Sequence, residues 1–277
     1  MSSRLTEPPS DLPGGPATGA GVGGWQPLGP DGLAPVARLD QLAGAVHVWA
    51  FPLAAPDGDE AGQQALLSAD ERARAERFRF DRHRRRFVTG RVTLRRLLGH
   101  YLEADPAALT FSYGPAGKPE VAGPEAARGL SFNLSNSEDW ALLAVARGQR
   151  LGIDLEAIRD EEDRGAVARR FFAAAEVAAL ESFAAPRQAE TFCAIWTRKE
   201  ALLKACGAGL SLPLDGFCVS ADPAGPARLL STDFRPEEAA RWSLTDIALA
   251  PPLAGAFRAA LAIEGPLPPC RLFRLDL

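Results

Sequence analysis

Asp154 and Glu156 stand two residues apart in the run GIDLE, residues 152–156. In an extended strand alternate side chains share a face, so both carboxylates point one way while Ile153 and Leu155 point into the core. Two carboxylates about 7 Å apart at Cα on a firm strand suit a hard divalent cation such as Mg²⁺. Taken alone, the same alternation describes any half-wet strand. A second set of charges follows about forty residues later in WTRKEALLKACGAGLSLPL, residues 196–214. Trp196, Glu200 and Lys204 fall at i, i+4 and i+8, one stripe of a helix, beside an apolar face of Phe192, Ile195, Lys199, Leu202, Leu203 and Cys206. A surface Glu–Lys pair is worth about 0.2–0.5 kcal/mol. It does not explain why a tryptophan heads the stripe or why GAGL follows at once. A third carboxylate brought from a helix to the strand pair completes a metal site, and the adjacent ammonium can neutralise phosphate oxygens.

The chain has only three lysines, and the third, Lys118, lies in Gly117-Lys118-Pro119. A glycine turn of this kind brings backbone N–H groups and an ammonium toward a phosphate. Arginine takes nearly every other basic position, with eleven between Arg72 and Arg96. Most of these read as a solvated helix face, and a few can face one small polyanion. The net charge of −4, and Asp70, Glu71, Glu76 and Asp81 interleaved in the run, argue against a nucleic-acid binder.

These residues need elements to position them. Val46–Phe51 reads as a strand. SADE at 68–71 is a capping box that starts a helix running toward Phe78. A longer helix covers about 83–102, with Val88, Leu94, Leu98 and Tyr101 inward. LTFSYGPAGKPEV gives strand, glycine turn and strand; SFNLSNS leads into the strand 140–146. Gly148-Gln149 then turns the chain into 151–156, so these last two strands are expected to form a hairpin. The second half repeats the first. TGRVTLRRLLG (89–99) and TRKEALLKACG (197–207) superpose without a gap, and WALLAVARG near 140 matches FRAALAIEG near 257. The expected organisation is a disordered Gly/Pro-rich tail over residues 1–40, an N-terminal α+β half over 41–150 and a C-terminal α+β half over 151–277. The seam between the halves is the natural cleft. The four cysteines show no metal-ligand spacing, no run approaches about 20 apolar residues, and the start lacks a secretory pattern. A reduced, cytoplasmic monomer is expected.

The combination is specific. GxDxE, then WxxKExxxKxxGxGLxxPL, preceded by GKP and FNLSxS, resembles the 4′-phosphopantetheinyl transferases, and more narrowly the surfactin-synthetase type. The resemblance runs from about Val46 to the C-terminus. It implies an α+β fold of two similar halves related by a pseudo-twofold axis, with the active site at their interface. It also implies transfer of phosphopantetheine from coenzyme A to a serine of apo acyl or peptidyl carrier proteins, as in polyketide and nonribosomal peptide biosynthesis. Carried over, Asp154, Glu156 and Glu200 hold Mg²⁺, Glu200 is the general base and Lys204 stabilises the leaving phosphate. Arg86 and Lys118 are expected at the 3′-phosphate and its surroundings, and Ser135 at a pyrophosphate oxygen. Where the family reads SHS this chain has Ser135-Asn136-Ser137, so Asn136 meets the coenzyme A phosphate with a hydrogen bond but no charge. A coenzyme A or carrier-binding module without catalysis is the alternative; the intact acidic residues and Lys204 count against it.

Overall fold

The computed structural model describes residues 24–29, 33, 36–54, 60–160, 163–207, 213–233 and 239–276. After β1 (Gln26–Leu28), the first half runs β2 (Val46–Pro52), α1 (Glu60–Leu66), α2 (Ala69–Glu76), α3 (Asp81–Leu102), β3 (Thr110–Tyr113), β4 (Pro119–Ala122), β5 (Leu130–Ser137) and β6 (Trp140–Arg147). The second half repeats that order. It runs β7 (Leu151–Ala157), α4 (Arg164–Phe171), α5 (Ala174–Ser182), α6 (Ala185–Cys206), β8 (Phe217–Val219), β9 (Leu229–Thr232), β10 (Trp242–Asp246) and β11 (Phe257–Glu264), with β12 (Cys270–Leu275) after it. Three antiparallel strands recur in the same arrangement, β2-β6-β5 and β7-β11-β10. The fold is α+β, two similar halves related by pseudo-twofold symmetry.

The repetition reaches individual side chains. Glu71 closes the capping box of α2 by accepting from the Ser68 N–H at 3.0 Å, and Glu176 does the same at Ala173 N–H, 2.8 Å, for α5. Each glutamate then pairs with a buried cation on the following long helix: Glu71 with Arg91 at 2.5 Å and Arg95 at 2.7 Å, Glu176 with Lys199 at 2.8 Å. Arg91 and Lys199 are equivalent in the superposed helix sequences. Both long helices have 22 residues and end on a left-handed residue, Glu103 or Gly207. Lys199 is therefore a core cation, its ammonium also donating to the Leu214 and Phe217 carbonyls.

Two expectations are corrected. The strands 140–146 and 151–156 do not form a hairpin. β6 pairs with β2 and β5, while β7 starts the other sheet against β11. Both strands are apolar on the side that faces the other half, so Leu142, Ala144 and Ala146 meet Leu151, Ile153 and Leu155 in a core between the sheets. The described part of residues 1–40 is not a loose tail, because β1 pairs in parallel with β12, and β12 with β2. The Trp25 indole donates to the Ala248 carbonyl at 2.7 Å, and Leu33 and Ala37 are buried. Gly/Pro composition hid the short apolar anchors among the turns. Residues 1–23 lie outside the described residues. The last strand, β12, likewise leaves the expected 151–277 unit to complete the first half's sheet.

Removing residues 1–29 should therefore expose the β12 edge and lower stability by about 2 kcal/mol, or roughly 4–8 °C in melting temperature for a chain of this size. An unchanged melting temperature would show the anchor to be dispensable. The buried His47 supplies a second expectation. Its Nδ1 lies 2.7 Å from the Tyr101 hydroxyl, which also accepts from Trp49 Nε1 at 2.9 Å. Burial, helped by nearby Arg271, pulls the imidazole down to about 4. The unfolded chain then binds the extra proton between pH 6.5 and 4, so stability falls as pH falls through that window, by about 3 kcal/mol in all. Denaturant midpoints at pH 7.5 and 4.5 should show this loss, and His47→Asn should flatten it.

Candidate active site at the seam

The acidic strand β7 is an edge strand, and among the described residues no strand pairs through its backbone with the outward N–H groups. Side chains of β5 take their place. Ile153 N–H donates to Asn133 Oδ1 at 2.8 Å, Leu155 N–H to Ser135 Oγ at 3.3 Å and Ala157 N–H to Ser137 Oγ at 3.1 Å. The two hydroxyls then donate onward, Ser135 to Asp154 Oδ1 at 2.9 Å and Ser137 to Glu156 Oε2 at 3.1 Å. The spacing of two on one strand matches the spacing of two on the other, so each serine serves one carboxylate and the N–H that follows it.

Helix α6 lies directly over this strand. Gly152 is the reason it can. A Cβ at that position would run into the backbone of α6 at Ala201 O, Ala205 N and Lys204 C. The close approach sets Glu200 and Lys204 above the two β7 carboxylates. Lys204 Nζ donates to Asp154 Oδ1 at 2.6 Å and to Ser135 Oγ at 3.0 Å. The stripe that begins at Trp196 thus divides. Trp196 stacks on Phe192 with ring centroids 5.8 Å apart and meets Phe171 edge-on, while Glu200 and Lys204 face the seam. The GAGL exit begins with Gly207 at φ 67°, and residues 208–212 lie outside the described residues.

Electrostatically the three acids are strained together. Burial raises Asp154, against the opposing pull of Lys204 and Ser135. Burial, and then the Asp154 charge, push Glu156 up to about 7. Burial and Asp154 raise Glu200 in the same way. Among the described residues no three candidate ligands close around a single point. Even so, Asp154 Oδ2 is buried with no hydrogen-bond partner. An orphaned carboxylate oxygen, flanked by two acids reluctant to ionise, fits a cation better than it fits a finished hydrogen-bond network.

The other expected site residues are spread along adjoining recesses. Arg86 and Asn136 line a cleft of about 430 Å³ with Arg74, His83 and Arg91. Arg86 is held by Asp139 at 2.7 Å and by Glu138 at 3.5 Å, and Glu138 also meets Arg159. Asn136 is exposed, on the opposite face of β5 from Ser135 and Ser137. A second recess of about 280 Å³ shares Pro119 and Leu134 with the first and is lined by Lys118, Asn133, Glu200 and Lys204. A third, about 210 Å³, lies between Glu156, Arg159, Phe192 and Trp196. Lys118 and Ser135 are both engaged by the protein itself. The Lys118 ammonium donates to the Leu151 and Lys204 carbonyls, and burial lowers it to about 8. The Ser135 hydroxyl donates to Asp154 and accepts from Lys204 and the Leu155 N–H, and so orients the acid. Asn133, Ser137 and Gly152 also shape this arrangement, although the sequence motifs gave none of them a role of its own. The polar N-x-S-x-S alternation and a glycine inside a strand were their signals.

The family model described as "4'-phosphopantetheinyl transferase superfamily" matches residues 150–262, and that described as "4'-phosphopantetheinyl transferase, N-terminal" matches residues 58–148. The 4′-phosphopantetheinyl transferase HetI of Nostoc sp. is 39% identical over 223 residues, which cover 80% of this chain and 88% of that protein. A 4′-phosphopantetheinyl transferase of Bacillus subtilis is 33% identical over 168 residues, 61% of this chain and 71% of the relative. The 4′-phosphopantetheinyl transferase Sfp of Bacillus subtilis strain 168 is 31% identical over 156 residues, 56% and 66%.

The backbone clash at Gly152 gives a direct test. Gly152→Ala should push α6 off β7, costing about 1–3 kcal/mol in stability. Because Glu200 and Lys204 ride on that helix, any activity of the site should fall by about 100-fold or more even where the variant stays folded. A folded Gly152→Ala protein with wild-type activity would remove the close approach from the site's design.

Proposed function

The chain belongs to the 4′-phosphopantetheinyl transferase superfamily, and from that membership we infer that it moves the 4′-phosphopantetheine group of coenzyme A onto a serine of apo carrier proteins. The products are holo carrier and adenosine 3′,5′-bisphosphate. The observation that carries this reading to particular residues is the seam itself, where acids from β7 and α6 meet Lys204 beside recesses large enough for a nucleotide and a pantetheine arm. A binding module without catalysis is not favoured, since every charged group the reaction needs is present. The pairing of two complete halves in one chain supports the surfactin-synthetase type.

The roles are those the family resemblance implies, and the geometry supports them. Asp154, Glu156 and Glu200 fit a hard divalent cation such as Mg²⁺, which when bound would neutralise charge on the pyrophosphate of coenzyme A. The carrier serine oxygen forms a bond to the phosphorus that bears pantetheine, and the bond from that phosphorus to the bridging oxygen breaks. Glu200 accepts the serine proton; its raised pKa places it nearer the operating pH, where a general base works best. Lys204 faces the leaving phosphate from the end of α6. Phosphoryl transfer of this kind is carried mostly by positioning and charge neutralisation. Arg86 and Asn136, with Arg74, His83 and Arg91 around them, form the cationic cleft for the 3′-phosphate end of the nucleotide. The surrounding arginines supply charge that Asn136 lacks.

Intact-mass analysis of an apo carrier incubated with the protein, coenzyme A and Mg²⁺ tests the reading, the expected result being a mass gain of one phosphopantetheine. Excess EDTA should abolish the gain and Mg²⁺ or Mn²⁺ should restore it. Glu200→Gln should lower kcat by about 100-fold or more with a much smaller change in KM for coenzyme A. Full activity in chelator would remove the metal assignment, and near wild-type turnover in Glu200→Gln would remove the base.

A further inference from the structure

Lys118 has a different position from the one its glycine-flanked turn suggested. It ends the turn of the β3–β4 hairpin, which is closed by Gly117 N–H to Gly114 O at 2.8 Å and by Gly114 N–H to Lys118 O at 2.9 Å. Gly117 takes the left-handed conformation that such a turn requires, φ 77°. From this stiff mount in the first half, the Lys118 ammonium reaches into the second half. It donates at 2.6 Å to the carbonyl of Leu151, the first residue of β7, and at 2.9 Å to the carbonyl of Lys204 in the last turn of α6. The Lys204 carbonyl, in the last helical turn, accepts the Gly207 N–H at 3.3 Å and has a second lone pair for such a cation. The side chain of the same Lys204 is the one on Asp154 and Ser135.

We infer that Lys118 is a positioning residue: it ties the end of α6 to the start of β7 from the opposite half, and so fixes where the Lys204 ammonium and the Asp154 carboxylate meet. Two of its three hydrogens are spent on protein carbonyls, which leaves one for any other acceptor. The clip and the serine ladder of β5 act on the same two elements from the same half. One holds the backbone ends and the other holds the acidic side chains. The activity part of the test rests on the transferase reading of the site; the exchange part does not.

A double-mutant cycle separates this role from phosphate binding. Lys118→Met should lower kcat at saturating coenzyme A by about 10- to 100-fold, as expected for a displaced catalytic group, and leave the Kd for coenzyme A within about twofold by calorimetry. In a Lys204→Ala background the same substitution should change kcat by less than about twofold, because its effect runs through Lys204. Lys118→Gln, which keeps N–H donors without charge, should retain more kcat than Lys118→Met. A large rise in Kd with unchanged kcat, or fully multiplicative losses in the cycle, would overturn the inference in favour of direct phosphate binding. Independently of turnover, Lys118→Met should speed amide exchange in residues 201–207 and 151–155 and leave α3 unchanged. Unaltered exchange there would overturn the clip even if the wild-type protein modified no carrier. A wild-type protein that modifies no carrier, but shows the exchange change, would sink the transferase reading and keep the clip.

Discussion

Among the described residues no strand pairs through its backbone with the outer edge of β7, and the architecture of the site follows from how that edge is satisfied. A buried N–H left without an acceptor costs about 1–3 kcal/mol. Asn133, Ser135 and Ser137 supply the three acceptors from β5. A hydroxyl can accept from an N–H and still donate, so the two serines also fix the two carboxylates of β7. One set of side chains thus meets a structural and a chemical demand together. The register is locked for the same reason. A slip of one residue would bring Phe132, Leu134 and Asn136 to the seam, and the first two have no side-chain donor or acceptor to offer.

The two halves use the same skeleton and fill it differently. Laid over β7 from its first residue, β2 places His47 on Gly152, Trp49 on Asp154 and Phe51 on Glu156. In the first half these large rings, with Tyr101, wedge the sheet and α3 apart and form an apolar core. In the second half the glycine lets α6 descend onto the strand, and the acids occupy the gap. The helix follows suit: Val92 is buried and Arg96 exposed in α3, where α6 carries Glu200 and Lys204. The capping glutamates and their buried cations are kept in both. Scaffold and site are thereby separable within one repeated unit.

That separation explains what could be read from the sequence. The helical period located α3 and α6, and apolar runs located β2, β6 and β7, which are buried on both faces over most of their length. The acidic pair, Glu200 and Lys204 were legible because charges at strand and helix spacing are costly in a core and so carry meaning. The pairing of β6 was not legible. Its tight glycine turn into β7 looks the same whether the strands pair or pack face to face, and only the partner strand β2, some ninety residues away, decides it. The partners of Lys118 and Lys199 were not legible for a related reason. An ammonium beside a glycine or on an apolar helix can meet a phosphate or a distant carbonyl, and the acceptors here come from Leu151, Lys204, Leu214 and Phe217.

Two kinds of buried acid coexist in the molecule, and the contrast bears on function. Glu71 and Glu176 are finished. Glu71 spends both oxygens on Arg91, Arg95 and the Ser68 N–H; its burial works against ionisation, but the guanidinia outweigh it and hold the carboxyl below the usual range. Glu176 gives one oxygen to Val219 N–H and the other to Ala173 N–H and Lys199. Such pairs ask nothing further of solvent or ligand. At the seam the balance is left open. Asp154 keeps one oxygen unpartnered, and a single ammonium faces three carboxylates that burial raises, Glu156 and Glu200 being raised further by the Asp154 charge. A fold that can neutralise its buried acids completely in two places, and does not in the third, carries unused negative charge at the mouth of a cleft. That surplus is what a divalent cation and the phosphates that accompany it would complete.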